Sequence, residues 1–282
     1  MIDLHTHTNY SDGTWDVKTL LENAHNNKVE LLSITDHDNI DAYSDELFNY
    51  AEERNMILIP GVEISTKIEK CGIHVLGYNF DLNDQNFREK LEKFRNIRHD
   101  YLNDVSKKLE ELGYKVNVEE LDKIEAVTKA HISLDVISNK ENEEILMKNF
   151  GHIPNKGEFI ETVMNEGCPA YVKKRSISPK EAAELIRSAG GKAVLAHPVA
   201  YKYEDGLTDE DILELVKDME VDAIEANYHY VDRNDNRIDE SEHWREFAKK
   251  HNGDKYSDVD IENMYDNFSK LEKIGTSSQA LH

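Results

Sequence analysis

His5 and His7 are separated by one residue in Ile2-Asp3-Leu4-His5-Thr6-His7, a segment whose pattern predicts a strand. Side chains in a strand repeat every two residues, so both imidazoles face one side and can chelate a single ion. Asp12 follows in the turn Ser11-Asp12-Gly13, a second strand ends in Asp36-His37-Asp38, and a third runs into Gly61-Val62-Glu63. A fourth begins at His74, and a later one ends in Ala196-His197-Pro198. Imidazole and carboxylate without thiolate suit Zn, Mn or Fe. A single histidine at a strand end is ordinarily structural; the ordered set exceeds the needs of one ion and points to a multinuclear centre.

The elements that must position these groups alternate in kind. Ile2–His7, Glu30–Thr35, Met56–Ile59 and His74–Phe80 read as strands, with helices over Val17–Asn27 and Ala42–Arg54 between them. Such alternation predicts parallel strands joined by helical crossovers. In an α/β barrel the carboxyl ends of the strands meet on one rim, where active sites sit. Residues 84 to 165 differ: they are rich in Glu, Lys and Asn, and Leu91, Phe94, Ile97, Tyr101, Leu102 and Val105 follow helical spacing. They predict a small helical insertion. Alternation then resumes. Ser178-Pro179-Lys180-Glu181 combines an N-cap, a first-turn proline and a capping-box glutamate, opening a helix that stops at Gly190-Gly191. A strand over Lys192–Ala196, a helix over Asp209–Met219, a strand over Ala223–Tyr228 and a charged helical stretch from Glu240 to Lys273 complete the chain.

The 282 residues carry 34 Lys+Arg against 57 Asp+Glu, a formal net charge of −23, which argues against a broad basic surface for long nucleic acid. It leaves room for a small anionic substrate if bound cations supply local positive charge. The hydrophobic content of 39% supports a folded core, and length allows one large α/β barrel or two ordinary domains. No apolar run is long enough to span a membrane, and the first residues lack a signal-peptide layout. Cys71 and Cys168 form no C-x-x-C pair, so neither a disulfide framework nor a thiolate zinc site is expected, and a cytoplasmic setting is.

The stretches Asp3-Leu4-His5-Thr6-His7-Thr8, Ser11-Asp12-Gly13, Ile34-Thr35-Asp36-His37-Asp38, Pro60-Gly61-Val62-Glu63-Ile64-Ser65, His74-Val75-Leu76-Gly77-Tyr78 and Leu195-Ala196-His197-Pro198 resemble the PHP (polymerase and histidinol phosphatase) phosphoesterases. They are most similar to the stand-alone branch that removes phosphate from nucleotides, including nucleoside 3′,5′-bisphosphates, or trims short RNA from its 5′ end. The resemblance implies a distorted (β/α)7 TIM-like barrel, here residues 1–82 and 167–282, with residues 83–166 as the insertion. It implies two or three divalent ions: His5, His7 and Glu63 on the first, Glu63, His74 and His197 on the second, Asp12 and His37 on the third. A metal-bridging hydroxide, rather than a protein nucleophile, would attack phosphorus, so His5, His7 and Glu63 would be catalytic through the metals. The substrate so implied is a small phosphorylated molecule, a nucleotide or short oligonucleotide; a sugar or amino-alcohol phosphate is the alternative.

Lys129-Ala130-His131-Ile132-Ser133 resembles the family's Arg-Pro-His-Ile-Ala segment, whose basic residue and histidine approach the phosphate. Lys in place of Arg gives up bidentate gripping and keeps a point charge; the other reading of Lys129 is a solvated helix-end residue. Lys173, Lys174 and Arg175 form the densest basic run; Lys173 and Arg175 are candidate phosphate contacts, with a solvated surface cluster as the other reading. The family pattern also closes with Gly-Ser-Asp-x-His, whose Asp and His would join the first and third metals, and no Asp-x-His follows Ala196-His197-Pro198 in this chain. Three readings stand. Either the ligands are lost, leaving an impaired metal-binding module, or Asp254, Asp258 or His229 replaces them, or the natural chain holds a segment near residues 252–253 that this sequence lacks. The last is favoured, because the break falls where the motif is expected.

Overall fold

Helix starts along this chain are fixed by side chains that accept orphan backbone N–H groups. Asp16 accepts from Thr19, Ser44 from Leu47, Ser178 from Glu181 and Thr208 from Asp211. The computed structural model describes residues 1–124, 127–173, 176–231 and 236–251. In chain order it holds β1 (Ile2–Thr6), α1 (Val17–Asn26), β2 (Leu31–Ile34), α2 (Asp45–Glu52), β3 (Ile57–Lys67) and β4 (Gly72–Tyr78). Then follow α3 (Gln85–Glu111), α4 (Val118–Leu121), α5 (Lys129–Ser138), α6 (Glu143–Phe150) and α7 (Lys156–Phe159). The chain continues through α8 (Pro179–Ser188), β5 (Lys192–Leu195), α9 (Pro198–Glu204), α10 (Asp209–Met219) and β6 (Ala223–Ile224). A short hairpin, β7 (His229–Val231) and β8 (Arg237–Asp239), leads into α11 (Ser241–His251). The remainder of the expected last helix, to Lys273, lies outside the described residues.

Contacts divide the chain into two units: Met1–Leu91 with the residues from Ser176 onward, and Glu92–Arg175. In the first, six strands pair in the order β1-β2-β3-β4-β5-β6. Leu4, Leu31, Ile59, Leu76, Val194 and Ala223, one from each strand, meet in a single buried cluster, so the sheet must curl around them into a half-barrel. The Tyr78 hydroxyl donates to the Leu4 carbonyl at 2.8 Å, tying β4 to β1 across that curl.

Strand direction departs from the expected all-parallel pattern. β1, β2 and β3 are parallel, as are β5 and β6, but β4 runs antiparallel to both β3 and β5. The reason is length: β3 extends to Lys67, eight residues beyond the expected end at Ile59, and only Ile68–Cys71 separate it from β4. Parallel strands need a crossover of a dozen or more residues, whereas this tight turn closes on a bond from Ile68 N–H to Cys71 C=O. β3 also changes partner along its length. Ile57–Pro60 pair with β2, and Gly61–Lys67 pair with β4.

The second unit is helical. Tyr101, Leu102, Val105, Leu109, Tyr114, Ile132, Val136, Leu146 and Phe159 are buried in one apolar core. Asn142 is buried within it and satisfied, donating to the carbonyls of Lys115 and Val136 and accepting from Lys115 N–H. No described helix is long and apolar enough to cross a membrane.

Candidate metal centre

Glu63 lies inside β3 rather than at a strand end, just beyond the point where that strand changes partner. Its backbone is held from both sides. It bridges to His37, the Asp38 N–H donates to its carbonyl, and its own strand pairs it with Leu76 of β4. His74 is two residues from Leu76 and so lies diagonal to Glu63, within reach of a long side chain. His5 sits in β1, where register with β2 shifts between Asp3 and Thr6, an irregularity of the kind that re-aims side chains. His7 follows β1, His37 follows β2 and His197 follows β5.

The turn bearing Asp12 is pinned by Asp36, which accepts from Thr8 N–H at 2.7 Å, Thr8 Oγ1 at 2.6 Å and Ser11 Oγ at 2.5 Å. Gly13 is required there, since a Cβ would stand 2.3 Å from the His7 carbonyl oxygen.

These elements gather five imidazoles around one carboxylate. Neighbouring ring centroids form a closed circuit: His5–His7 5.1 Å, His7–His37 4.8 Å, His37–His74 4.9 Å, His74–His197 5.3 Å and His197–His5 5.7 Å. Glu63, 1% exposed, presents its two oxygens to different sets. Oε1 lies 2.8 Å from His74 Nδ1 and 3.0 Å from His197 Nε2. Oε2 lies 3.1 Å from His5 Nε2, 3.2 Å from His7 Nε2 and 3.4 Å from His37 Nδ1. Asp12, 56% exposed, stands at the rim, 3.4 Å from His7 Nδ1 and 3.6 Å from His37 Nε2. In each of three groups the donor atoms lie within 4.8 Å of one another: His5, Glu63 and His197; His7, Asp12 and His37; His37, Glu63 and His74. His7 thus also groups with the Asp12–His37 pair, and His5 with His197.

The electrostatics of this cluster are those of groups competing for too few protons. Burial alone would raise the Glu63 carboxyl, but His37, His74 and His5 together hold it well below the usual carboxylate range. Burial pushes His37 down to about 3 against the pull of Glu63. His5 and His74 are raised instead: Glu225 and Glu63 overcome desolvation at His5, and Glu63 does so at His74. His74 Nδ1, although close to Glu63, lacks the alignment of a hydrogen bond, and it and His197 Nδ1 are buried without a hydrogen-bond partner. Five imidazoles crowd one carboxylate, too few acceptors for that many ring nitrogens, and His37, pushed neutral, stands 3.4 Å from Glu63 Oε2, an arrangement that a cation between the donors would satisfy. The donor set therefore fits divalent metal ions.

Seven expected ligands, His5, His7, Asp12, His37, Glu63, His74 and His197, come together here. The four expected substrate contacts belong to the second unit. There Lys129 Nζ donates to Asn165 Oδ1 at 2.8 Å, and His131 Nδ1 accepts from Thr128 N–H, completing the capping box of α5. Lys173 lines a cavity of about 140 Å³ with Asp100, Tyr101 and Asp104. Arg175 and Lys174, like Asp254 and Asp258, lie outside the described residues; His229 opens β7.

Glu225 is the group that sequence reasoning missed. Directly after β6, its carboxylate contacts His5 Nδ1 at 3.0 and 3.2 Å and accepts the His197 N–H at 2.7 Å. A strand over Ala223–Tyr228 would have placed it mid-strand, whereas β6 spans only two residues and Glu225 follows its end, as His197 follows β5. Beside His5 and His7 opens a cavity of about 420 Å³, lined also by Trp15, Leu20, Asn23, Asn27 and Tyr228.

Comparison with known proteins follows the same lines. Residues 3–187 match the model of the PHP domain. A 5′-3′ exoribonuclease of Haemophilus influenzae is 33% identical over 202 residues, 71% of this chain and 69% of that one. A 3′,5′-nucleoside bisphosphate phosphatase of Chromobacterium violaceum is 25% identical over 217 residues, 76% of this chain and 72% of that one. Among solved structures, an amidohydrolase from Chromobacterium violaceum with bound sulfate superposes with a TM-score of 0.65 at 22% identity, over 92% of this chain and 88% of that one.

Proposed function

The chain belongs to the PHP domain family, whose members are metal-dependent phosphoesterases, and from that premise we propose that it removes phosphate from nucleotides, such as nucleoside 3′,5′-bisphosphates, or from short oligonucleotides. The observation that carries this reading is Glu63, a buried carboxylate with imidazole nitrogens 2.8 to 3.4 Å from its two oxygens. In this reading the six-stranded sheet belongs to a distorted (β/α)7 barrel. By the family resemblance, His5, His7 and Glu63 would hold one ion, Glu63, His74 and His197 a second, and Asp12 and His37 a third, with Mn, Zn and Fe all compatible with the donors.

Divalent ions in such a site act as Lewis acids, lowering the pKa of water and offsetting phosphoryl charge. The chain's own groups supply the geometry. Glu63 offers one oxygen to the His5 side and the other to the His197 side, so it would hold both groups of donors at a fixed separation. The Thr8 and Ser11 bonds to Asp36 fix the turn from which Asp12 reaches the rim. The cavity beside His5 and His7 has the size to take the remainder of a nucleotide. Lys129, His131, Lys173 and Arg175 are the proposed phosphate contacts, Lys129 as a point charge. Cys71 and Cys168 are free thiols, in keeping with a cytoplasmic enzyme.

The test is a panel assay of the protein with Mn or Zn on nucleoside 3′,5′-bisphosphates, short 5′-phosphorylated RNA and sugar phosphates. Nucleotide substrates are expected to exceed sugar phosphates in kcat/KM by about 100-fold or more. Equal or reversed preference would assign the enzyme to another phosphomonoester. Absence of phosphate or nucleotide release from every substrate would overturn the phosphoesterase reading.

A further inference from the structure

Glu225 contributes no atom to the three donor groups, yet it touches two of their members from behind. Its carboxylate is 14% exposed and receives two bonds from different strand ends. The first comes from His5. A carboxylate only accepts, so a hydrogen bond at 3.0 Å requires the proton to sit on His5 Nδ1. The opposite nitrogen, Nε2, faces Glu63 Oε2, and with one ring proton committed to Glu225 it is the atom that can give up its own proton and offer a lone pair to a cation. The second bond comes from the His197 N–H. That residue has φ +23° and ψ +62°, a backbone state that residues with a Cβ rarely adopt, at the junction between β5 and α9. A charge-assisted bond to its N–H offsets the cost of holding it there. His5 and His197 sit on opposite oxygens of Glu63.

We propose that Glu225 is a positioning residue for the metal centre, fixing the tautomer of His5 and the backbone of His197 so that both Nε2 atoms point at the ions, without itself binding one. This rests on reading the His/Glu cluster as a metal centre. A carboxylate behind a metal-bound imidazole orients the ring and raises its basicity, and its loss ordinarily costs roughly 10–100-fold in metal affinity. Here one carboxylate serves two ligands, so both should loosen together.

The experiment uses the full chain with Mn or Zn as the probe, comparing wild type, Glu225→Ala and Glu225→Gln by calorimetric titration. Circular dichroism establishes that each variant is folded. The expected result is unchanged ion stoichiometry, with affinity roughly 10–100-fold weaker in Glu225→Ala. Glu225→Gln, which keeps one acceptor, should fall between it and wild type, and it carries the test alone if the alanine variant does not fold. Long-range proton–nitrogen NMR of the Zn-loaded protein should show His5 as the Nδ1–H tautomer in wild type and a mixture in Glu225→Gln. Unchanged affinity and an unchanged His5 tautomer in a folded variant would overturn the proposal. So would the loss of one whole ion, which would make Glu225 a ligand. A wild-type protein that binds no ion would instead overturn the metal-centre reading itself.

Discussion

The two units bury different things. The sheet unit buries Asp3, His5, Asp36, Asp38 and Glu63 among its apolar residues, while the fully buried polar side chains described in the helical unit are the uncharged Ser106, Ser133 and Asn142. A buried charge is costly unless paired, so a fold that gathers five ionisable groups under one rim gives up stability there for chemistry. The helical unit makes no such concession: its core is the ordinary interlocking of Leu, Val, Ile, Tyr and Phe.

This contrast can be broken by substitution, and the largest effect should come from its centre. Glu63→Gln keeps the shape and removes the charge shared by the imidazoles. It should lower turnover by about 10³-fold or more and abolish stoichiometric ion binding, while the variant stays folded by circular dichroism. Normal turnover in that variant would remove the metal centre from the mechanism. The opposite pattern is expected in the helical unit. Phe159 packs edge-on to Tyr114 at 5.3 Å, and Phe159→Ala should cost about 3–5 kcal/mol in denaturant unfolding while ion stoichiometry of the folded protein is unchanged.

An intermediate case is Asp36→Ala, which strands the Thr8 N–H and two hydroxyls. It should cost about 1–3 kcal/mol and, on the proposed metal assignment, weaken ion binding near Asp12 more than binding between His74 and His197, visible as separate steps in a titration. Smallest is Ser178→Ala at the start of α8, about 1 kcal/mol by thermal melting. Bonds from Ser178, first from its hydroxyl and then from its N–H, hold Glu181 below the usual carboxylate range. A depressed carboxyl contributes its stability above its unfolded pKa and loses it as pH falls through the folded one, so Ser178→Ala should flatten the acid limb of the stability profile.

Much of this contrast was legible in the sequence, because it depends on local patterns. The His5-x-His7 pair reads as one face of a strand, and Ser178-Pro179-Lys180-Glu181 reads as a capped helix start; α8 begins at Pro179 with both capping-box bonds in place. What was not legible depends on pairing between distant segments. Glu63 looks like a strand-end residue if β3 is closed at Ile59. Only the ladder from Gly61 to Lys67 against Tyr78 to Gly72 shows that the strand continues past it and that β4 reverses direction. Yet Val62, Ile64 and Thr66, alternating with Glu63, Ser65 and Lys67, carry the period of two that could have extended the strand. Glu225 escaped for another reason. Its role appears only when the ends of β1, β5 and β6 are brought side by side, and nothing in its neighbours along the chain announces it.

β3 has one more consequence, for how such a site would exchange what it holds. Glu63 is gripped by both flanking strands through its backbone, and its side chain is sealed from water, so it is the donor with the least freedom to swing aside. Asp12 is its opposite, more than half exposed on a turn tied down through side-chain bonds. A ring of donors that is sealed at the hub and open to water at one gatepost fills and empties past the gatepost. Residence time should therefore be written into the short turn from Thr8 to Gly13, and the spacing between ions into the strand.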